Sequence, residues 1–290
     1  PTMTQLCPGP IPAATPHLKA PPGACDTHAH ILGPYDRFPL NENRSYTAPE
    51  APLEDFLVLL DTLGLERAVI VHGSAYGTML EATEDAIIRM EGRARGVAVV
   101  EPDITDRELE RLNEVGFRGL RFTTLLRGGS GVENIQALAA RIRPLGWHVQ
   151  LFIDGPSQLA DLVPMLRDLP VDLVVDHMGH FTPSDGIDHP GFRALLDLVR
   201  GGRCWVKLSG AYRKTETGAP FHDMTPFAQA LIEAGSDRMV WATDWPHVML
   251  IDRPMPDDAT SLDWALSWGV DEATMRAILA DNPAELYGFH

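Results

Sequence analysis

Short apolar runs alternate with amphipathic stretches along most of this chain. The runs are nearly continuous in apolar residues, as expected of strands covered on both faces, and lie at 24–31, 67–75, 94–102, 117–124, 148–154, 172–179, 203–211 and 239–247. Stretches with helical periodicity lie between or after them, at 53–63, 81–91, 105–115, 132–143, 157–168, 190–200, 224–234, 258–268 and 271–280. Eight strands that each lead into a helix predict an α/β fold, a closed (β/α)8 TIM barrel. A doubly wound open sheet is the alternative, disfavoured because no Gly-rich phosphate fingerprint follows the first strand.

The first 22 residues have a different character. They hold seven prolines and little periodicity, which predicts an extended N-terminal arm that wraps over the body of the protein. Residues 23–290 show neither an internal repeat nor a linker. The predicted organisation is therefore an arm over 1–22 and one barrel domain over 23–290.

Composition narrows the range of partners. A formal net charge of −16 argues against nucleic acid and anionic membranes as partners. Three widely spaced cysteines suggest no disulfide framework. The chain has no apolar run of membrane-spanning length and no secretory leader pattern at its start, so the sequence predicts a cytoplasmic protein. A homo-oligomer is compatible with these features.

Histidines and an aspartate gather at the predicted carboxyl ends of strands, where barrels of this kind carry their chemistry. His28 and His30 are two positions apart, so on a strand both imidazoles face the same side. His177 ends the sixth apolar run and Asp244 lies in the eighth. Together they could ligate a metal or activate water. The structural alternatives are a hydrogen-bonded core histidine and an aspartate that caps a loop. Asp176, next to His177, is expected to point behind its strand.

Arginines follow the same strand ends. Arg121 lies within a short apolar strand, Arg127 in the Gly-rich loop after it, and Arg213 after the seventh strand. Planar guanidinium groups suit carboxylates and sulfonates, so they indicate an anionic substrate, although salt bridges with the chain's many acids are the alternative. Predicted strands four and five contain no lysine, which argues against a carbamylated lysine bridging two metals. The site is expected to be mononuclear or metal-free.

Three motifs together resemble the amidohydrolase superfamily: Asp-Thr-His-Ala-His at 26–30, Val-Asp-His-Met-Gly at 175–179 and Thr-Asp-Trp-Pro-His at 243–247. The resemblance is strongest to the branch of 2-pyrone-4,6-dicarboxylate lactonases, sulfomuconolactone hydrolases and sugar-lactone enzymes. It implies that Asp244 activates water, while His28, His30 and His177 either hold one zinc or manganese with Asp244 or polarise the lactone carbonyl without a metal. It also implies that the substrate is gripped by Ser74, Arg121, Arg127 and Arg213. Phe152 stands where the pyrone lactonase has a substrate-contacting tyrosine, and His247 is a further candidate for substrate binding.

The sequence therefore predicts a hydrolase that opens an anionic lactone in the catabolism of aromatic compounds. A metal-dependent decarboxylase of an unsaturated carboxylic acid on the same barrel is the second hypothesis. A carboxylate-binding barrel without catalytic activity is the third.

Overall fold

The computed structural model describes residues 4–290, in which eight parallel strands pair in chain order from β1 to β8. The strands are β1 Cys25–Ala29, β2 Arg67–Val71, β3 Ala94–Ala98, β4 Phe117–Thr123, β5 His148–Phe152, β6 Leu173–Val175, β7 Cys204–Leu208 and β8 Met239–Trp241. The α-helices are α1 Leu53–Leu63, α2 Glu81–Arg89, α3 Asp106–Val115, α4 Ile135–Ile142, α5 Gly155–Arg167, α6 Pro190–Arg200, α7 Ala211–Lys214, α8 Thr225–Gly235, α9 Asp258–Asp263, α10 Glu272–Arg276 and α11 Asn282–Tyr287.

The sheet closes on itself where β1 meets the end of β8 and the segment that follows it. The Thr27 hydroxyl donates to the carbonyl of Trp241 over 2.9 Å, and the Asp244 amide donates to the carbonyl of His28 over 2.9 Å. The His30 amide continues the pairing to the carbonyl of Trp245 at 2.8 Å. The predicted (β/α)8 barrel is confirmed and the open sheet is excluded.

Several strands end before their apolar runs do. The sixth run was predicted to be a strand over 172–179, but β6 covers only Leu173–Val175. A tight turn over Asp176–His180 follows, in which the backbone φ of His177 is 53° and that of Met178 is 55°. A left-handed φ cannot continue a strand, so His177 lies on a turn beyond the end of β6.

The N-terminal segment packs against the rest of its own chain. The Cys7 amide donates to the carbonyl of Thr47 over 2.8 Å, and the Leu18 amide donates to the Asp263 carboxylate over 2.8 Å. Both Cys7 and Leu18 are buried. These contacts tie the arm to the loop after β1 and to α9. Across residues 4–290, no helix combines the length and the apolar character needed to span a membrane.

Candidate active site

Four of the predicted site residues meet at the carboxyl end of the barrel. The ring of His28 lies 5.0 Å from that of His30 and 4.7 Å from that of His177, measured between centroids. The Oδ1 atom of Asp244 lies 3.7 Å from His28 Nε2 and 3.5 Å from His177 Nε2. All four side chains are buried. A buried carboxylate facing imidazoles is a suitable arrangement for moving a proton.

The two oxygens of Asp244 have different surroundings. Oδ2 accepts hydrogen bonds from the Tyr212 hydroxyl at 2.6 Å and from Arg213 Nε at 2.7 Å. Burial opposes ionisation, but the Arg213 guanidinium outweighs it and holds the pKa of Asp244 well below its usual range. Asp244 is therefore a carboxylate at neutral pH, oriented through Oδ2, with Oδ1 turned toward the histidines.

The imidazoles are held neutral. His30 Nδ1 lies 2.8 Å from the carbonyl of Val71, which can only accept, so Nδ1 carries the proton and Nε2 is bare. Burial, reinforced by the charge of Arg121, lowers the pKa of His30 to about 4. His177 Nδ1 pairs with the Ser209 hydroxyl at 2.8 Å, and burial lowers its pKa too.

Asp176 lies inside the barrel beneath the histidines, so the expectation that it points behind its strand is wrong. Its Oδ2 accepts from Arg121 Nε at 2.9 Å and from Gln150 Nε2 at 3.1 Å. Its Oδ1 lies 3.4 Å from His28 Nδ1. The expectation assumed strand alternation between Asp176 and His177, but both residues belong to the turn after β6.

Lys207 is an interior residue that the sequence reasoning missed. It lies in the middle of β7, is fully buried, and projects toward His28. Burial lowers its pKa to about 8, while the nearby Asp176 carboxylate acts in the opposite direction. The available signal was a lysine inside the apolar run Cys-Trp-Val-Lys-Leu, since a lysine is almost never fully buried without a partner.

A cavity opens above the histidines, and several predicted residues line it. Its walls are formed by His30, Tyr46, Ser74, Arg121, Leu126, Phe152, His177, Arg213, Asp244, Val248 and Met249. The guanidinium of Arg121 stacks over the Phe152 ring, 4.4 Å from its centroid. Among residues 4–290 only its Nε is hydrogen-bonded, so its terminal amino groups are free to bind an anion. Tyr46 was not predicted; burial raises its pKa to about 12, so it is a neutral hydroxyl donor.

Two predicted substrate-binding residues lie outside this cavity. Arg127 is exposed, and its guanidinium donates to the carbonyl of Arg44 over 2.8 Å, which turns it toward the loop after β1. His247 is buried behind the cavity wall, with Nε2 3.0 Å from Asp258 Oδ1 and its ring packed against Tyr212. Neither residue lines the cavity in this structure, and their roles in substrate binding stay predictions. Both residues were predicted because they are near Arg121 or Asp244 in the sequence. The sequence did not show that Arg127 bonds to the carbonyl of Arg44 or that His247 lies against Asp258.

Groups that could hold a divalent ion are present, because one ligand atom each from His28, His30 and Asp244 lie within 4.8 Å of one another. Metal-bound histidines usually donate their second nitrogen to a carbonyl or carboxylate. His30 fits that rule through Val71. His28 does not, because its Nδ1 lies 3.1 Å from the Lys207 amine, closer than to the Asp176 carboxylate. A second possible group, formed by His28, Asp176 and His177, contains the same ring. Neither group therefore fits a metal while Lys207 holds the second nitrogen of His28.

The chain matches known proteins over nearly its whole length. The amidohydrolase family model matches residues 25–289. The chain is 37% identical over 273 residues to a 4-sulfomuconolactone hydrolase of Hydrogenophaga intermedia, covering 92% of this chain and 89% of the relative. It is 35% identical over 283 residues to a 2-pyrone-4,6-dicarboxylate hydrolase of Comamonas testosteroni, covering 94% and 92%.

A solved structure shows the same likeness in three dimensions. The crystal structure of a probable 2-pyrone-4,6-dicarboxylic acid hydrolase from Acinetobacter baumannii, with citric acid bound, superimposes with a TM-score of 0.81 at 28% identity, covering 92% of this chain and 100% of that one. The family match spans the strand-end histidines, the aspartate after β8 and the whole barrel that positions them. The chain belongs to the amidohydrolase family.

Proposed function

We propose that this enzyme hydrolyses the ring ester of a small lactone that carries a carboxylate or sulfonate. The observation that carries the proposal is Asp244, a buried carboxylate whose Oδ1 faces two imidazoles beside the free guanidinium edge of Arg121. The names of two similar relatives, a sulfomuconolactone hydrolase and a pyrone-dicarboxylate hydrolase, support the same substrate class.

In the proposed reaction Asp244 Oδ1 removes a proton from a water molecule as the water oxygen attacks the lactone carbonyl carbon. The negative charge that develops on the carbonyl oxygen is stabilised by hydrogen bonds from the surrounding side chains. The bond between the carbonyl carbon and the ring oxygen then breaks. The proton held by Asp244 passes to the departing oxygen, which gives a hydroxyl group and regenerates Asp244. The new carboxylic acid then loses its remaining proton to solvent and leaves as a carboxylate.

The charge of the site favours an anionic substrate. Arg121, Lys207 and Arg213 share the two carboxylates of Asp176 and Asp244, so these five side chains carry one positive charge in excess. Arg213 is engaged with Asp244, so Arg121 is the principal anchor for the anionic arm, with the hydroxyls of Ser74 and Tyr46 beside it in the wall. Phe152 supplies an apolar face and no hydroxyl at the position of the expected tyrosine.

No step of this reaction is assigned to a metal, because Lys207 occupies the second nitrogen of His28. Zinc or manganese would require His28 to turn its Nδ1 proton toward Asp176.

A place in aromatic-compound catabolism belongs to the same proposal and rests on the relatives' names. A cytoplasmic location and a homo-oligomeric state stay predictions.

Asp244→Asn tests the proposed base. Muconolactones, sulfomuconolactones, pyrone carboxylates and aldonolactones are screened first, with acid release followed by a pH indicator. On any lactone that turns over, Asp244→Asn is expected to lower kcat by about 10²–10⁴-fold, because the amide cannot take a proton from water. Asp197→Asn on exposed α6 makes the same chemical change away from the site and should leave kcat unchanged.

Two outcomes would contradict the proposal. Near-normal turnover by Asp244→Asn would mean that another group activates water. Release of CO₂ from an unsaturated carboxylic acid, without opening of any lactone, would favour the decarboxylase hypothesis instead.

A further inference from the structure

His28 lies between two groups that would give its ring opposite tautomers. Its Nδ1 is 3.1 Å from Lys207 Nζ and 3.4 Å from Asp176 Oδ1. An ammonium group can only donate a hydrogen bond, and a carboxylate can only accept one. If Lys207 is the partner, Nδ1 is bare and Nε2 carries the proton toward the site. If Asp176 is the partner, the reverse holds.

The surroundings of Lys207 favour its role as the donor. Its Nζ also lies 2.9 Å from the Thr27 carbonyl and 3.0 Å from Gln150 Oε1. The Gln150 amide is oriented because its Nε2 donates to Asp176 Oδ2 at 3.1 Å. The three N–H groups of the ammonium thus find three acceptors within hydrogen-bond distance, of which His28 Nδ1 is the third. Asp176 Oδ1 is a fourth acceptor but lies farther from Nζ, at 3.5 Å. Within residues 4–290, Asp176 Oδ1 forms no hydrogen bond despite its closeness.

We propose that Lys207 is a positioning residue that fixes His28 with its proton on Nε2, so that the ring does not ligate a metal. The same proton is then available for the contact with the lactone carbonyl oxygen that the family resemblance implies. The carbonyl half of this inference rests on the proposed function. His28 Nε2 is buried, lacks a hydrogen-bond partner in the described part of the chain, and lies 3.7 Å from Asp244 Oδ1. A buried donor left unpaired is costly unless a ligand supplies its acceptor.

His30 has the opposite tautomer from the one proposed for His28. Its Nδ1 proton is held by the Val71 carbonyl, so the nitrogen that faces the cavity can only accept. The adjacent imidazoles of one strand segment therefore form a donor and an acceptor side by side. In this arrangement the carbonyl oxygen of the substrate accepts a hydrogen bond from His28, and the attacking water lies between His30 and Asp244. This division gives the substrate one productive orientation.

The tautomer of His28 in the wild-type protein is the direct test. Histidine is labelled with ¹⁵N, and a long-range ¹H–¹⁵N spectrum shows which ring nitrogen of each residue is protonated, with His28 assigned by loss of its signals in His28→Gln. We expect a proton on Nε2 of His28 and on Nδ1 of His30, which serves as an internal reference. A proton on Nδ1 of His28 would overturn the proposal, whether or not any lactone is a substrate.

Substitution of Lys207 gives a second test. In Lys207→Met the ring is free to donate from Nδ1 to Asp176, so the NMR signature of His28 should invert and zinc binding, measured by calorimetry, should tighten by about 10–100-fold. On an active lactone, kcat should fall by about 10²–10³-fold with KM unchanged, as for the loss of one oxyanion donor. Lys207→Arg keeps a donor and should restore part of kcat and the wild-type tautomer.

The outcomes separate the two proposals. If Lys207→Met keeps the wild-type tautomer and zinc affinity, Lys207 does not set the ring and the inference is wrong. If the His28 proton moves to Nδ1 in Lys207→Met but the wild type opens no lactone, the tautomer assignment stands and the proposed function fails. Should Lys207→Met not fold, the wild-type spectrum alone decides.

Discussion

At the scale of single residues, the site depends on side chains whose partners leave one atom free. Asp244 accepts hydrogen bonds from Tyr212 and Arg213 through Oδ2, which leaves Oδ1 available to water. Arg121 donates to Asp176 through Nε, which leaves its terminal amino groups available to a substrate. The strand-end pattern was enough to predict that the histidines, Asp244 and Arg121 meet. It could not show which atom of each is already engaged, because that depends on residues distant in sequence.

The same substitution at Arg121 and at Arg127 shows which of the two arginines binds the substrate. Arg121→Lys keeps the charge beside Asp176 but loses the planar fork, so KM for an anionic lactone should rise about tenfold or more, the effect of about 1.4 kcal/mol or more. Arg127→Lys should leave KM near the wild-type value, because that guanidinium bonds to the carbonyl of Arg44 outside the cavity. Steady-state kinetics measure both. Equal increases would place Arg127 on the substrate, as the resemblance implies.

At the scale of elements, apolar runs located all eight strands but not the points where they end. The runs at 172–179 and 239–247 continue past β6 and β8 into turns that are themselves buried. Asp244 has a φ of 65° and His177 a φ of 53°, conformations that hydropathy does not reveal. Lys207 was missed for a related reason. One charged residue within an apolar run looks like a break in the strand pattern, and the sequence does not show that this part of the barrel interior is polar.

The N-terminal arm is an element whose contribution can be measured. Deletion of residues 1–18 removes the buried side chains of Cys7 and Leu18 and the hydrogen bonds to Asp263. Each buried apolar side chain contributes about 1.5–3 kcal/mol, so Tm should fall by roughly 5 °C or more in differential scanning calorimetry.

Asp263→Asn is the matched control for the deletion. It weakens the hydrogen bonds from the amides of His17 and Leu18 but leaves the apolar contacts in place, so its effect on Tm should be smaller. A deletion with unchanged Tm would show that the arm is not part of the stable body.

At the scale of the whole molecule, the barrel encloses many imidazoles that are neutral when folded. Burial lowers the pKa of each of these histidines from 6.5: His28, His30, His72, His148, His177 and His180. Below pH 6.5 the unfolded chain binds protons that the folded chain does not, so folding stability is lost as the pH falls. Asp26 acts in the opposite direction, because burial raises its pKa to about 7.

We therefore expect the free energy of unfolding to decrease on acidification from pH 7 to pH 5. Each of the six imidazoles adds a slope of up to about 1.4 kcal/mol per pH unit, against one opposing carboxyl. Urea titrations at several pH values measure it. His72→Gln removes one imidazole distant from the base, and should make the slope shallower by up to that amount. A flat profile would mean that these imidazoles are protonated in the folded protein.

The closure of the barrel has a consequence for how activity arises during synthesis. The backbone of Asp244 is joined to that of His28 across the junction of first and last strands, so histidine and base come together only once the chain returns to its beginning. A nascent chain emerging from the ribosome has its imidazoles long before it has its carboxylate. Any C-terminal truncation that stops short of residue 244 should be wholly inert, and lactone turnover can serve as an all-or-none reporter of completed folding.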